Sequence, residues 1–193
     1  MRARRPSSAS ACARSSDAQR SLRPQRCPQP MPATLHAGSY TVASFPGGDD
    51  MTRTHSASCL CGTVTVTLRG EPAARANCHC ATCRDFYGTP VLSATAWPPE
   101  QVTVEGASAT FPHPSKSMSR TYCASCGEIV CGTNRLGMRV VPNSLAARAH
   151  GGQLPDDLRP TMHLFYRHSV IDVVDALPKF LDGWDGPTLD EAN

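Results

Sequence analysis

Eight of the ten cysteines in this 193-residue chain fall between positions 59 and 131, in tight groups. They read Cys59-Leu-Cys61, Cys78-His-Cys80-Ala-Thr-Cys83 and Cys123-Ala-Ser-Cys126-Gly, with Cys131 alone. Two thiolates one or two residues apart can both reach one tetrahedral Zn²⁺ at about 2.3 Å, and a glycine after the second lets backbone amides turn toward the sulfurs. The same spacing is poor for disulfides, whose Cα separations and dihedrals are restricted. No apolar leader for secretion is legible, so a reducing, cytoplasmic setting is expected, which also disfavours a disulfide framework. The clusters therefore read as metal ligands.

Seven clustered cysteines divide most economically into four plus three. Cys59, Cys61, Cys123 and Cys126 supply two pairs for a closed site that would staple the ends of a sheet. Cys78, Cys80 and Cys83 supply three ligands from one short loop, and three protein ligands with one open position is the pattern of a catalytic zinc. Two Zn²⁺ per chain are expected. His79 sits between two ligands, and chain geometry disfavours three successive residues on one ion. Cys131 competes for the fourth position, but reads more simply as a small buried residue in a strand over 128–133. His113, between two prolines, reads as a loop histidine.

The rest of the body patterns as strands. Residues 63–69 alternate apolar and polar with β-branched side chains, and Gly70-Glu71-Pro72 stops them. Further strands are expected at 89–95, 101–105, 117–122, 128–133, 138–141 and 162–167, with brief helical turns near 81–86 and 144–149. Strands this short and evenly punctuated favour a mainly β domain.

Residues 1–50 differ in kind. They hold seven Arg against Asp17, Asp49 and Asp50, a charge of +4, and the remaining residues carry -1, which together give the net +3. Rich in Ser, Arg, Pro and Ala and without hydrophobic periodicity, this head reads as disordered, or as upstream sequence with Met51 as the working start. Cys12 and Cys27 have no partner spacing there and read as incidental. Residues 51–193 form the expected zinc-binding domain. The near-neutral body gives no electrostatic reason to expect a nucleic-acid groove, and no apolar run approaches the ~18 residues of a membrane span.

The motifs Cys59-Leu-Cys61-Gly, Cys78-His-Cys80-Ala-Thr-Cys83-Arg and Tyr122-Cys123-Ala-Ser-Cys126-Gly, followed by Asp175-Ala-Leu-Pro-Lys-Phe180, resemble the family of glutathione-dependent formaldehyde-activating enzymes, which also includes centromere protein V. The resemblance runs from about 56 to 180. It implies a β-tent zinc fold, a structural zinc on Cys59, Cys61, Cys123 and Cys126, and a catalytic zinc on Cys78, Cys80 and Cys83. It also implies small-molecule thiol and aldehyde partners, such as glutathione and formaldehyde, joined by carbon–sulfur bond formation. Two departures stand out: His168-Ser-Val-Ile-Asp172 lies where the family usually has a Trp, and Asp85-Phe86-Tyr87-Gly88 follows Arg84.

The chemistry also follows from the residues. A free thiol with pKa near ~8.5 is mostly protonated at neutral pH, and zinc favours the nucleophilic thiolate. Arg84 and Arg120 are candidates to offset the added negative charge and to hold substrate carboxylates, a solvated surface arginine being the plainer reading of each. Two other classes remain open. A non-catalytic zinc module would bind protein or chromatin, using the basic head. A zinc-bearing methionine sulfoxide reductase would need a redox Cys near the C-terminus, and no Cys follows Cys131. A zinc deaminase would need a His-x-Glu motif, which no histidine here supplies.

Overall fold

The computed structural model describes residues 52–191, and the expectation of a disordered head falls on residues outside that range. Ten strands and two short helices follow in the order β1 (Thr54–Ser58), β2 (Val64–Arg69), β3 (Ala74–Cys78), α1 (Ala81–Tyr87), β4 (Leu92–Trp97), β5 (Val102–Gly106), β6 (Ser108–Pro112), β7 (Ser119–Cys123), β8 (Ile129–Thr133), β9 (Arg139–Pro142), α2 (Asn143–Ala149) and β10 (Met162–Leu164). They form a three-stranded sheet, β1-β2-β5, and a seven-stranded sheet, β10-β3-β4-β9-β8-β7-β6. Neighbours are antiparallel except β10, which runs parallel to β3. The fold is mainly β, as the patterning predicts.

The alternation in β2 is used as period-2 sequences must be. Val64, Val66 and Leu68 face the core while Thr65 and Thr67 do not, and Val104 and Val102 stand opposite Val66 and Leu68 on β5. From the larger sheet come Trp97, Val130, Cys131 and Val141, and α2 closes this core with Leu145 and Ala146. Each fully buried large side chain contributes about 1.5–3 kcal/mol. Trp97 is wholly buried, so its indole N–H needs a partner, which it finds at 2.7 Å in the Thr95 hydroxyl. Gly106 pairs with Val64 at φ 104, and any Cβ there would stand 2.1 Å from the Thr63 carbonyl oxygen.

Three strands escape the patterning. β1, β3 and β6 read Thr-His-Ser-Ala-Ser, Ala-Arg-Ala-Asn-Cys and Ser-Ala-Thr-Phe-Pro, with at most one buried residue each. They are strands because β2, β4 and β7 pair with them, an effect of tertiary context on weak local preference. The run expected over 162–167 stops at Leu164. Phe165 takes φ 58 and a 3-10 turn, Tyr166–His168, follows. Among the described residues no helix is long and apolar enough to cross a membrane.

Candidate metal centres

Two tight turns build the four-cysteine cluster. After β1 the chain reverses at Cys59 to Gly62, with the Gly62 amide on the Cys59 carbonyl (2.9 Å) and the Cys59 amide on the Val64 carbonyl (2.9 Å). After β7 the pattern repeats: the Gly127 amide donates to the Cys123 carbonyl and the Cys123 amide to the Glu128 carbonyl, both at 2.9 Å. Gly62 and Gly127 each take φ 76, left-handed backbone that favours glycine. The turns bring Cys59 and Cys61 sulfurs to 3.5 Å, and Cys61 and Cys123 sulfurs to 3.6 Å. With Cys126, all four sulfurs lie within 4.8 Å of one another. The first turn belongs to the small sheet and the second to the large one, so the cluster joins two sheets rather than the ends of one, as the sequence alone suggested. Arg148 of α2 reinforces the join, reaching the Ser58 carbonyl (2.9 Å) and both Glu128 oxygens (2.9 and 2.8 Å), while Glu128 accepts from the Leu60 amide.

The second cluster sits where β3 passes into α1. Cys78 ends the strand, Cys80 caps the helix by accepting from the Cys83 amide at 3.2 Å, and Cys83 lies in the first turn. Their sulfurs again lie within 4.8 Å of one another, and all three residues are half-buried. Three thiols this close cannot all ionise unaided. Hydrogen bonds from Cys78 and Cys83 hold the Cys80 sulfur down to about 2, Cys80 in turn pushes Cys78 up to about 12, and Cys78 drives Cys83 higher still. A bound cation removes that conflict. The edge of a tetrahedron with about 2.3 Å metal–sulfur bonds is about 3.8 Å, close to the 3.5 and 3.6 Å pairs of the four-cysteine cluster, and all-thiolate donor sets select soft or borderline ions such as Zn²⁺. Each cluster can therefore hold a metal ion of the soft or borderline kind.

Cys131 joins neither cluster. It is wholly buried in β8, its thiol donates to the Gly132 carbonyl at 3.3 Å, and burial pushes it up to about 11. His113 lies in the turn after β6, accepting from the Ser115 amide with its ring 5.2 Å from that of Phe86. Arg84 follows Cys83 on α1 and donates to the His168 carbonyl at 3.1 Å, its side chain 29% exposed. Arg120 places its guanidinium 4.8 Å from the Phe86 ring centre and 5.3 Å from that of Phe111, and donates to the Phe86 carbonyl. Arg84 thus lies on the helix that carries Cys83, and Arg120 packs against it.

A further group at this site is not legible in the cysteine spacing. His79 is wholly buried, and its nitrogens pair with His163 and Ser169. His163 is also wholly buried and pairs with Asp175. These partners lie 84 and 90 residues from His79 along the chain.

Fold and site together define a mainly β protein with one closed and one incomplete thiolate cluster. The model of the glutathione-dependent formaldehyde-activating enzyme family matches residues 54–168, and the chain belongs to that family. No curated protein matches it. It is similar to the crystal structure of a Rhodobacter sphaeroides protein, a structural-genomics target, at 17% identity over 52% of this chain and 98% of that one, with a TM-score of 0.39.

Proposed function

We propose that the protein is a zinc-dependent enzyme of the carbon–sulfur lyase type, condensing a thiol such as glutathione with a small aldehyde such as formaldehyde at the three-cysteine cluster. The observation that carries this reading is the asymmetry between the clusters. One gathers four sulfurs from two sheets and closes on itself, whereas the other gathers three half-buried sulfurs and, among the described residues, no fourth. Zn²⁺ held by Cys78, Cys80 and Cys83 would supply a soft Lewis acid that favours the thiolate form of an entering thiol. Cys59, Cys61, Cys123 and Cys126 would hold a second Zn²⁺ in a structural role.

In the net reaction the thiol sulfur bonds to the carbonyl carbon, the carbon–oxygen π bond opens, and the thiol proton ends on the new hydroxyl. The chain's part is to hold the partners together, which removes the entropy cost of their encounter. Arg84, partly exposed one residue after Cys83, is proposed to meet a substrate carboxylate, with Arg120 on the far end of the helix in the same role. The test is the rate of exchange between free formaldehyde and its glutathione adduct, followed by NMR with ¹³C-formaldehyde. Acceleration that disappears with chelator and returns with Zn²⁺ supports the enzyme. Two bound zinc ions without acceleration, for any thiol and aldehyde pair, would leave the non-catalytic module.

A further inference from the structure

The three-cysteine cluster is backed by a buried hydrogen-bonded chain that ends at the surface. His79 carries two ring nitrogens into an interior where unpaired polar atoms are costly. Its Nε2 lies 2.8 Å from His163 Nδ1 and its Nδ1 2.9 Å from the Ser169 hydroxyl. His163 Nε2 lies 2.8 Å from Asp175 Oδ2, and Asp175 Oδ1 accepts from Lys179 (3.0 Å) and the Leu177 amide (3.2 Å). The Tyr166 ring packs edge-on against both imidazoles, 4.9 Å from His79 and 5.8 Å from His163.

Both ends of this chain are fixed. An ionised carboxylate only accepts, so His163 donates to Asp175 through Nε2. At the other end the single proton of the Ser169 hydroxyl goes to the Ile171 carbonyl, so Ser169 Oγ accepts from His79 Nδ1. The backbone is held as well, since the His79 amide donates to the Leu164 carbonyl at 2.9 Å. Residue 79 is thus fixed by its ring and by its amide, while its two neighbours in sequence are Cys78 and Cys80.

We propose that Asp175, His163 and Ser169 are positioning residues for the three-cysteine site, locking His79 so that Cys78 and Cys80 are presented together before any metal arrives. This rests on the reading of that cluster as a metal site. Neither His79 nitrogen belongs to the sulfur cluster, so the residue acts on the ligands through the backbone rather than as one of them. Outer partners that orient metal ligands are typically worth 10–100-fold in affinity.

The experiment is a Co²⁺ titration of the full chain, read by sulfur-to-cobalt charge-transfer and ligand-field bands, with melting curves alongside. Wild type should take up two equivalents with separable affinities. Asp175→Asn keeps the shape, but an amide can face His163 as donor or acceptor, so His163 is no longer held by a group that only accepts. Ser169→Ala removes the other end. In both variants the tighter equivalent and the melting transition should be unchanged, while the weaker equivalent loses about tenfold or more in affinity and its ligand-field bands shift. Asp175→Glu, again an acceptor only, should recover part of the loss. Wild-type affinity and bands at the weaker site in both variants would overturn the proposal, as would equal losses at both sites, which would make the chain part of the general core. Uptake of a single equivalent by wild type would instead overturn the metal reading beneath it.

Discussion

Cys61 and Cys123 are 62 residues apart in sequence, yet their sulfurs lie 3.6 Å apart, one in a turn of the small sheet and the other at the end of a strand of the large one. Metal bound there would cross-link the two sheets. Binding of structural Zn²⁺ is folding free energy on the order of 10 kcal/mol, comparable to the whole stability of a domain. Cys123→Ser should therefore leave mostly insoluble protein. Cys80→Ala should instead stay soluble with a cooperative melting transition, about one zinc per chain by metal analysis, and thiol–aldehyde activity at background. Equal collapse of both variants would show that both sites hold the fold.

Cys131 should behave as a core residue. Cys131→Ala is expected to retain two zinc ions per chain and to lose about 1 kcal/mol from the small cavity. The pH dependence has a definite sign. The thiol is pushed from 9.0 up to about 11 by burial, so the unfolded chain gives up this proton first. Stability should be flat below pH 9, fall as pH rises from 9 to 11, and then level off as far as this group is concerned. Denaturant melts across that range should show a shallower alkaline fall in the alanine variant, and an identical fall would refute the assignment.

Gly106 tests the turn that carries Cys61. A methyl group there meets the Thr63 carbonyl oxygen at 2.1 Å, and the left-handed φ of 104 adds strain. Gly106→Ala should cost on the order of 2 kcal/mol or more and weaken the four-cysteine site, since Thr63 is two residues from Cys61. Wild-type stability by urea denaturation would contradict the close approach.

Arg84 can be separated from general packing by choice of thiol. Arg84→Gln should raise KM for glutathione, which carries carboxylates, by about tenfold, and leave KM for a neutral thiol such as 2-mercaptoethanol unchanged. A parallel rise for both would show that the arginine only supports the helix.

What the sequence discloses and what it hides divide along the range of the interactions involved. The cysteine groups are legible because ligands on one turn must be close in sequence, and both gatherings of sulfurs follow the spacing of their residues. β2 is legible because Val64, Val66 and Leu68 alternate with threonines. β1, β3 and β6 are not, because small and polar residues have no period of their own and pair only when a neighbour offers an edge. The pairing of His79 with His163 and Ser169 is hidden for a stronger reason. The position of a histidine between two clustered cysteines argues only against its being a third successive ligand, and nothing local marks partners 84 and 90 residues away.

The parallel pairing of β10 with β3 has a consequence for the growing chain. Every residue of the four-cysteine cluster has been synthesised by Cys126, so its two turns can meet while later segments are still inside the ribosome. The other cluster has all its sulfurs by Cys83, yet the carbonyl that holds the His79 amide belongs to Leu164, and the ring's chain of partners ends at Asp175 and Lys179. Its sulfurs are made first and anchored last. During translation the closed cluster can therefore compete for metal ahead of the incomplete one, an order set by strand topology rather than by position along the chain.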